Sequence, residues 1–269
     1  MITWSKLAGM SVLPAFLFLA IYLLLSIAMT RVRAELGAPH EIYYVNPQSI
    51  MVTTLGTSFL GPHNLTIMSA FYWFHRCYRN HPMPNQLEAF KMAEVTGING
   101  RRLVGAMALA TVFSLLVVYW ANLDLCYRDG ALAKCRGFKW WAGEEGFGRL
   151  LMPWITRGQS VREARRVAMC AGAGMVFLLK FLRTKYTWWM FHPAGYALGV
   201  SYAMEYFWFA VLISWLAKWV LIRLGGMKVH RAAIPFFLGL ILGDYTAGSL
   251  WAIWGPAAGF LNYKLFIRN

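Results

Sequence analysis

The stretch GMSVLPAFLFLAIYLLLSIAMTRVR, residues 9–33, decides the fold. From Gly9 to Met29 it carries no charged side chain, and it ends abruptly at Thr30-Arg31-Val32-Arg33. A helix needs about 20 mostly apolar residues to cross roughly 30 Å of hydrocarbon, and this run supplies them. The rival reading is a signal peptide, with Lys6 as its basic flank and Ser26-Ile27-Ala28 as its cleavage site. The apolar run exceeds a typical signal core and is followed by a stop-transfer pair of arginines, so the reading is a membrane helix.

Further runs repeat the pattern. Besides 9–29, the segments 103–121, 167–182, 197–222 and 232–254 read as spans, whereas 49–74 is long enough but interrupted by Gly56 and by Gly61-Pro62-His63-Asn64. Proline removes a backbone donor and restricts the residue before it, so a Gly-Pro pair stops a helix there. The expected fold is all-α: a polytopic helical bundle of about five spanning helices plus one broken or re-entrant element, a single integral membrane domain over residues 1–269. Residues 122–166 read as an interfacial loop in which Phe138, Trp140, Trp141, Phe147 and Trp154 intersperse with charges, a pattern suited to the headgroup zone. Residues 85–94 have helical spacing on a polar background and read as a surface helix.

Of 269 residues, 59% are hydrophobic and 14% charged, with a mean hydropathy of +0.47. Soluble domains average about 25% charged residues. The net charge of +15 would point to nucleic acid if it were massed on a soluble face. Instead the cations sit between apolar runs, as at Arg101/Arg102, Arg162/Arg165/Arg166 and Arg183/Lys185. Membrane proteins carry cations there to meet lipid headgroups, so lipid is the expected partner and nucleic acid is not. No GxSxG, Walker loop or HExxH appears, and the six histidines lack the same-face pairing of haem or zinc ligands. No enzymatic chemistry, metal or particular cofactor is indicated. Cys126 and Cys135 share one polar loop and form a disulfide only if that loop faces an oxidising compartment.

Three features are candidates for function. An ionisable side chain in hydrocarbon costs at least about 2.5–3.5 kcal/mol on insertion scales, so Glu205 and Asp244, inside the last two runs, need a partner or water. Each reads either as a proton or cation relay or as an internal ion pair holding helices in register. The small residues Gly239, Gly243, Ala247 and Gly248 around Asp244 admit another backbone. The broken element offers Gly56, Thr57, Gly61, His63, Asn64 and Thr66 as substrate- or ion-binding groups, because unwound backbone at membrane depth must be buried in protein or line a wet cavity. The plainer reading is a kinked helix that only packs. Finally, Arg31, Arg33, Glu35, His40 and Glu41, directly after a span, read as a gate or anion-binding cluster, or else as a solvated anchor with local ion pairs.

The distribution of cations does not fix orientation. If 49–74 is a hairpin, the basic segments 31–47 and 76–102 share one side and the Cys126/Cys135 loop lies on the other; if it crosses, every later helix reverses.

Four stretches carry a resemblance: TRVRAELGAPH (30–40), LGTSFLGPHNLT (55–66), MPNQLEAFKMAE (83–94) and IPFFLGLILGDYTAGSLWAIWG (234–255). They resemble an uncharacterised bacterial family of large polytopic membrane proteins, known as domains of unknown function and loosely similar to oligopeptide transporters. The resemblance implies a bacterial cytoplasmic membrane location and a transporter-like module for a small polar solute. Members are much longer, so the chain resembles their carboxy-terminal portion, and Asp244 stands where they usually have glutamate. It also implies partners, either other membrane subunits or a second copy. The competing expectation is a non-transporting scaffold of a respiratory or photosynthetic membrane complex.

Overall fold

A computed structural model describes residues 2–37, 45–75, 78, 81–131, 140–199 and 201–258. They fall into two compact units, residues 1–205 and 206–269. The described residues are overwhelmingly helical. Among the described residues four helices are long and apolar enough to cross a membrane, as an integral membrane protein requires.

In the first unit, α1 (Ile2–Leu7) leads into α2 (Val12–Leu36), which contains the first apolar run from Val12 on and stops where Gly37 adopts a left-handed conformation and donates its N–H to Arg33 O. The broken element follows as α3 (Pro47–Leu55) and α4 (Thr57–Ala70), then a single turn, α5 (Tyr72–His75). Asn46 caps α3, its Oδ1 accepting from Ser49 N at 2.8 Å, with Pro47 at the first helical position. Gly56 (φ 78°, ψ 162°) separates α3 from α4, and Gly61 (φ 73°, ψ 160°) breaks α4 before Pro62. Only glycine occupies that region at little cost, which is why both breaks fall where they do.

Contacts with α2 then march along its length. Ser11 N–H donates to Asn64 Oδ1 at 2.8 Å; Phe18 stacks on Phe71 and meets His75 edge-on; Tyr22 stacks on Phe74 and Tyr78; Arg33 pairs with Glu88 of α6 (Pro82–Thr96). The described residues between Asn64 and Glu88 therefore lie beside α2 from its N-cap to its last turn. Since α2 ends at Leu36 and Asn64 lies back at its start, α3 and α4 form a helical hairpin beside α2. Its core is Met10, Ala15, Phe18, Met51, Val52, Leu60, Leu65, Met68 and Leu151, each no more than 6% exposed.

The expectation of a surface loop over 122–166 needs correction. Helix α7 (Gly100–Asp129) continues beyond the anticipated 103–121 span. A π-helical segment (Trp140–Leu151) and α8 (Met152–Thr156) then pack against α4, with Leu151 in the core and Gly146 so close to Tyr72 and Ser69 that a Cβ would crowd them. Aromatic and apolar residues scattered among charges look interfacial, yet here part of that surface covers the hairpin. Helix α9 (Glu163–Lys185) and α10 (Pro193–Gly199) complete the unit.

The expected spans 197–222 and 232–254 fall largely on α11 (Tyr202–Ala257), whose two helical stretches meet at a kink at Gly226 (φ 64°, ψ −167°), inside the connection expected between them; residues 197–199 belong to α10. At about 1.5 Å per residue, α11 has a contour of roughly 84 Å, far beyond one bilayer crossing.

Candidate functional site

The first site is the hairpin's break. At Gly56 the unwound backbone is closed by the segment before α9: Thr57 N–H donates to Gln159 O at 3.0 Å, and Gln159 N–H donates to Thr57 Oγ1 at 2.8 Å. Gln159 is itself held by Trp154, whose indole N–H donates to Gln159 Oε1 at 3.0 Å. A Cβ on Gly56 would stand 3.3 Å from Gln159 O. The break thus has its polar groups satisfied by protein, one of the two ways open to non-helical backbone at membrane depth. At the hairpin's far end Asn64 Nδ2 donates to Leu60 O at 2.6 Å while its Oδ1 takes Ser11 N–H, bridging the second break to the start of α2.

Of the residues expected to form this site, Gly56, Thr57 and Asn64 are joined to neighbouring elements as described. His63 and Thr66 are exposed, and Thr66 Oγ1 donates only to Pro62 O of its own helix. Gln159, Trp154 and Ser11 were not anticipated, because no periodicity marks a loop glutamine that docks 102 residues away. Deeper in the same bundle, Gln48 Nε2 donates to Ser69 Oγ at 2.7 Å, and the fully buried His75 places Nε2 3.2 Å from Met68 O. Gln48 Oε1 and His75 Nδ1 have no hydrogen-bond partner among the described residues. The core beside the broken helix is therefore polar as well as apolar.

The second site is a cavity of about 830 Å³ where α2, α9 and α10 meet. Ala28, Arg31, Val32 and Glu35 form one stripe of α2, at helical spacing i, i+3, i+4 and i+7. A matching stripe of α9 presents Val176, Phe177, Lys180, Arg183 and Thr184. His192 closes the cavity at the start of α10, where its Nδ1 accepts from Ala194 N at 3.1 Å. That bond leaves Nε2 to carry the ring proton, 3.6 Å from Glu35 Oε2, while Arg31 Nε donates to Glu35 Oε1 at 2.7 Å.

The anticipated cluster after the first span is therefore split. Arg31 and Glu35 line the cavity, but Arg33 turns away to Glu88 and to Gly37 O, fastening α6 to α2. His40 and Glu41 lie outside the described residues, as does Cys135. Lys180, Arg183 and His192 complete the cavity; of these only Arg183 was expected, as part of the basic border after the span 167–182. The i, i+3, i+4 spacing of Lys180, Arg183 and Thr184 was the available signal. Glu205 and Asp244 are both exposed, Asp244 on α11 in the second unit.

A model of a family of unknown function (DUF6785) matches residues 1–267. No curated protein and no solved structure matches.

Proposed function

We propose that this chain, which belongs to the DUF6785 family of unknown function, is a transporter-like module of a bacterial cytoplasmic membrane that admits a small polar solute, as half or part of an oligopeptide-transporter-like assembly. The observation that carries the reading is the hairpin α3–α4: a helix interrupted twice by glycines in Gly-only geometry, out and back within a bundle of apolar helices. Discontinuous helices supply freed backbone groups and half-helix ends, which are what polar solutes and ions bind in the interior of membrane transporters. The Gln159 docking at Gly56 occupies those groups with the protein's own atoms, and in this reading solute entry displaces the loop.

The test is thermal unfolding of the purified full chain against a panel of amino acids, dipeptides and tripeptides, followed by uptake of any stabilising compound into proteoliposomes. Saturable stabilisation with protein-dependent uptake, both weakened by Asn64→Ala, is the expected result. A flat panel together with co-purification of unrelated membrane subunits in fixed stoichiometry overturns it.

That outcome would establish the second reading, a non-transporting scaffold. A specific observation favours it: among the described residues α7 and α9 bury none of their side chains. Those surfaces are available to lipid, to a second copy or to other membrane chains.

A further inference from the structure

The cavity between α2, α9 and α10 combines two chemistries that a small solute would not need together. One part of its lining is apolar, formed by Ala28, Val32, Val176 and Phe177, side chains that continue the hydrocarbon surface of two spans. Its rim carries the guanidiniums of Arg31 and Arg183 and the ammonium of Lys180. Three permanent cations there face one carboxylate, Glu35, which Arg31 Nε already holds at 2.7 Å and which has His192 Nε2 3.6 Å away. Arg31 spends only Nε on that pair, leaving its outer Nη atoms outside the bond. Among the described residues Lys180 and Arg183 have no carboxylate within 4.0 Å. Both helices reach the rim with their last turns, where a span leaves the hydrocarbon and meets headgroups.

We propose that this cavity binds the phosphate of an anionic phospholipid, held by Arg31, Lys180 and Arg183, with an acyl chain against Val32, Val176 and Phe177. Guanidinium and ammonium groups form charge-assisted hydrogen bonds with phosphate oxygens. Basic pockets between membrane helices are where such headgroups are retained. A zwitterionic headgroup brings its own cation into a rim that already has an excess of positive charge, so the site selects net negative lipids. The inference is independent of transport and holds equally for a scaffold.

Full-length protein purified in a neutral detergent is titrated with phosphatidylglycerol, with phosphatidylcholine or with inorganic phosphate, and followed by melting temperature and by native mass spectrometry for retained lipid. Phosphatidylglycerol should raise the melting temperature and stay bound, and phosphatidylcholine should do neither. The double variant Lys180→Gln/Arg183→Gln should weaken phosphatidylglycerol binding roughly tenfold or more. Lys180→Arg/Arg183→Lys, which keeps the charge, should retain it. If the neutralised double variant does not fold, Arg183→Gln alone provides the same comparison with a smaller loss. Equal stabilisation by inorganic phosphate overturns the lipid as source, and equal retention of phosphatidylcholine overturns the selectivity. A similar loss in Arg101→Gln/Arg102→Gln, at the start of α7, would reduce the effect to diffuse surface charge and overturn the site.

Discussion

Helices α2 and α7 are both apolar and both long enough to cross a membrane, but they have opposite surroundings. α2 buries Pro14, Ala15, Phe18, Tyr22, Ser26, Met29 and Thr30 against the hairpin and α6, whereas α7 buries nothing among the described residues. In lipid there is little hydrophobic gain in bringing one greasy helix to another, so what distinguishes α2 is fitted packing and polar pairing. Composition makes a helix a span. Shape and a few hydrogen bonds decide whether it faces protein.

The largest expected effect separates the two helices directly. Phe18 is 2% exposed and touches both Phe71 and His75, while Phe113 of α7 is 67% exposed. Phe18→Ala should cost about 3 kcal/mol in mixed-micelle unfolding, because the cavity leaves its neighbours without contacts. Phe113→Ala should be close to neutral in the isolated chain. A large loss at Phe113 would show that α7 is covered by a second copy, and would remove the contrast.

Next come the glycines. Gly56→Ala forces a Cβ into a conformation that only glycine adopts readily and towards Gln159 O, and should cost about 2–3 kcal/mol. Gly105→Ala, in open space on α7, should be neutral or stabilising by up to about 1 kcal/mol. Parallel melts of the two variants measure the difference. Equal effects would mean that the break at Gly56 is not specified by its backbone geometry.

These two pairs also mark what was legible in the sequence. The spans could be read because lipid filters on length and charge, which are local properties, and the break at Gly61-Pro62 could be read because its cause lies in adjacent residues. That α4 climbs back along α2 depends on Asn64 meeting Ser11 and Tyr22 meeting Phe74, contacts between distant positions with no shared period. The cavity was half visible for the same reason. Arg31 and Glu35 stand one turn apart on one helix, whereas Lys180, Arg183 and His192 arrive from elements folded back onto it. The kink at Gly226 falls in the connection expected between the last two spans, although helix resumes directly after it.

A smaller effect lies at the docked loop. Thr57→Val removes the hydroxyl that accepts Gln159 N–H at 2.8 Å and donates to Gln159 O at 3.3 Å, but leaves the Thr57 N–H bond to Gln159 O, so it should cost about 1–2 kcal/mol. Hydrogen exchange should then speed up at residues 158–161 and stay unchanged in α7. Uniform acceleration along the chain would mean that the loop has no local opening of its own and would weaken its role as a closure.

The smallest effect concerns the ion pair that fastens α6 to the end of α2. Arg33 and Glu88 are in direct contact, but their side chains are 27% and 46% exposed, so solvent and salt screen the attraction. A double-mutant cycle with Arg33→Gln and Glu88→Gln should return a coupling of about 0.5 kcal/mol, decreasing as salt is raised. α6 keeps only Pro84 and Ala93 buried. If the cycle instead returned several kcal/mol, independent of salt, the pair would have to be shielded from water. α6 would then lie under lipid headgroups or beneath a partner chain, and the boundary between the packed side of the molecule and its open side would have to be drawn beyond it.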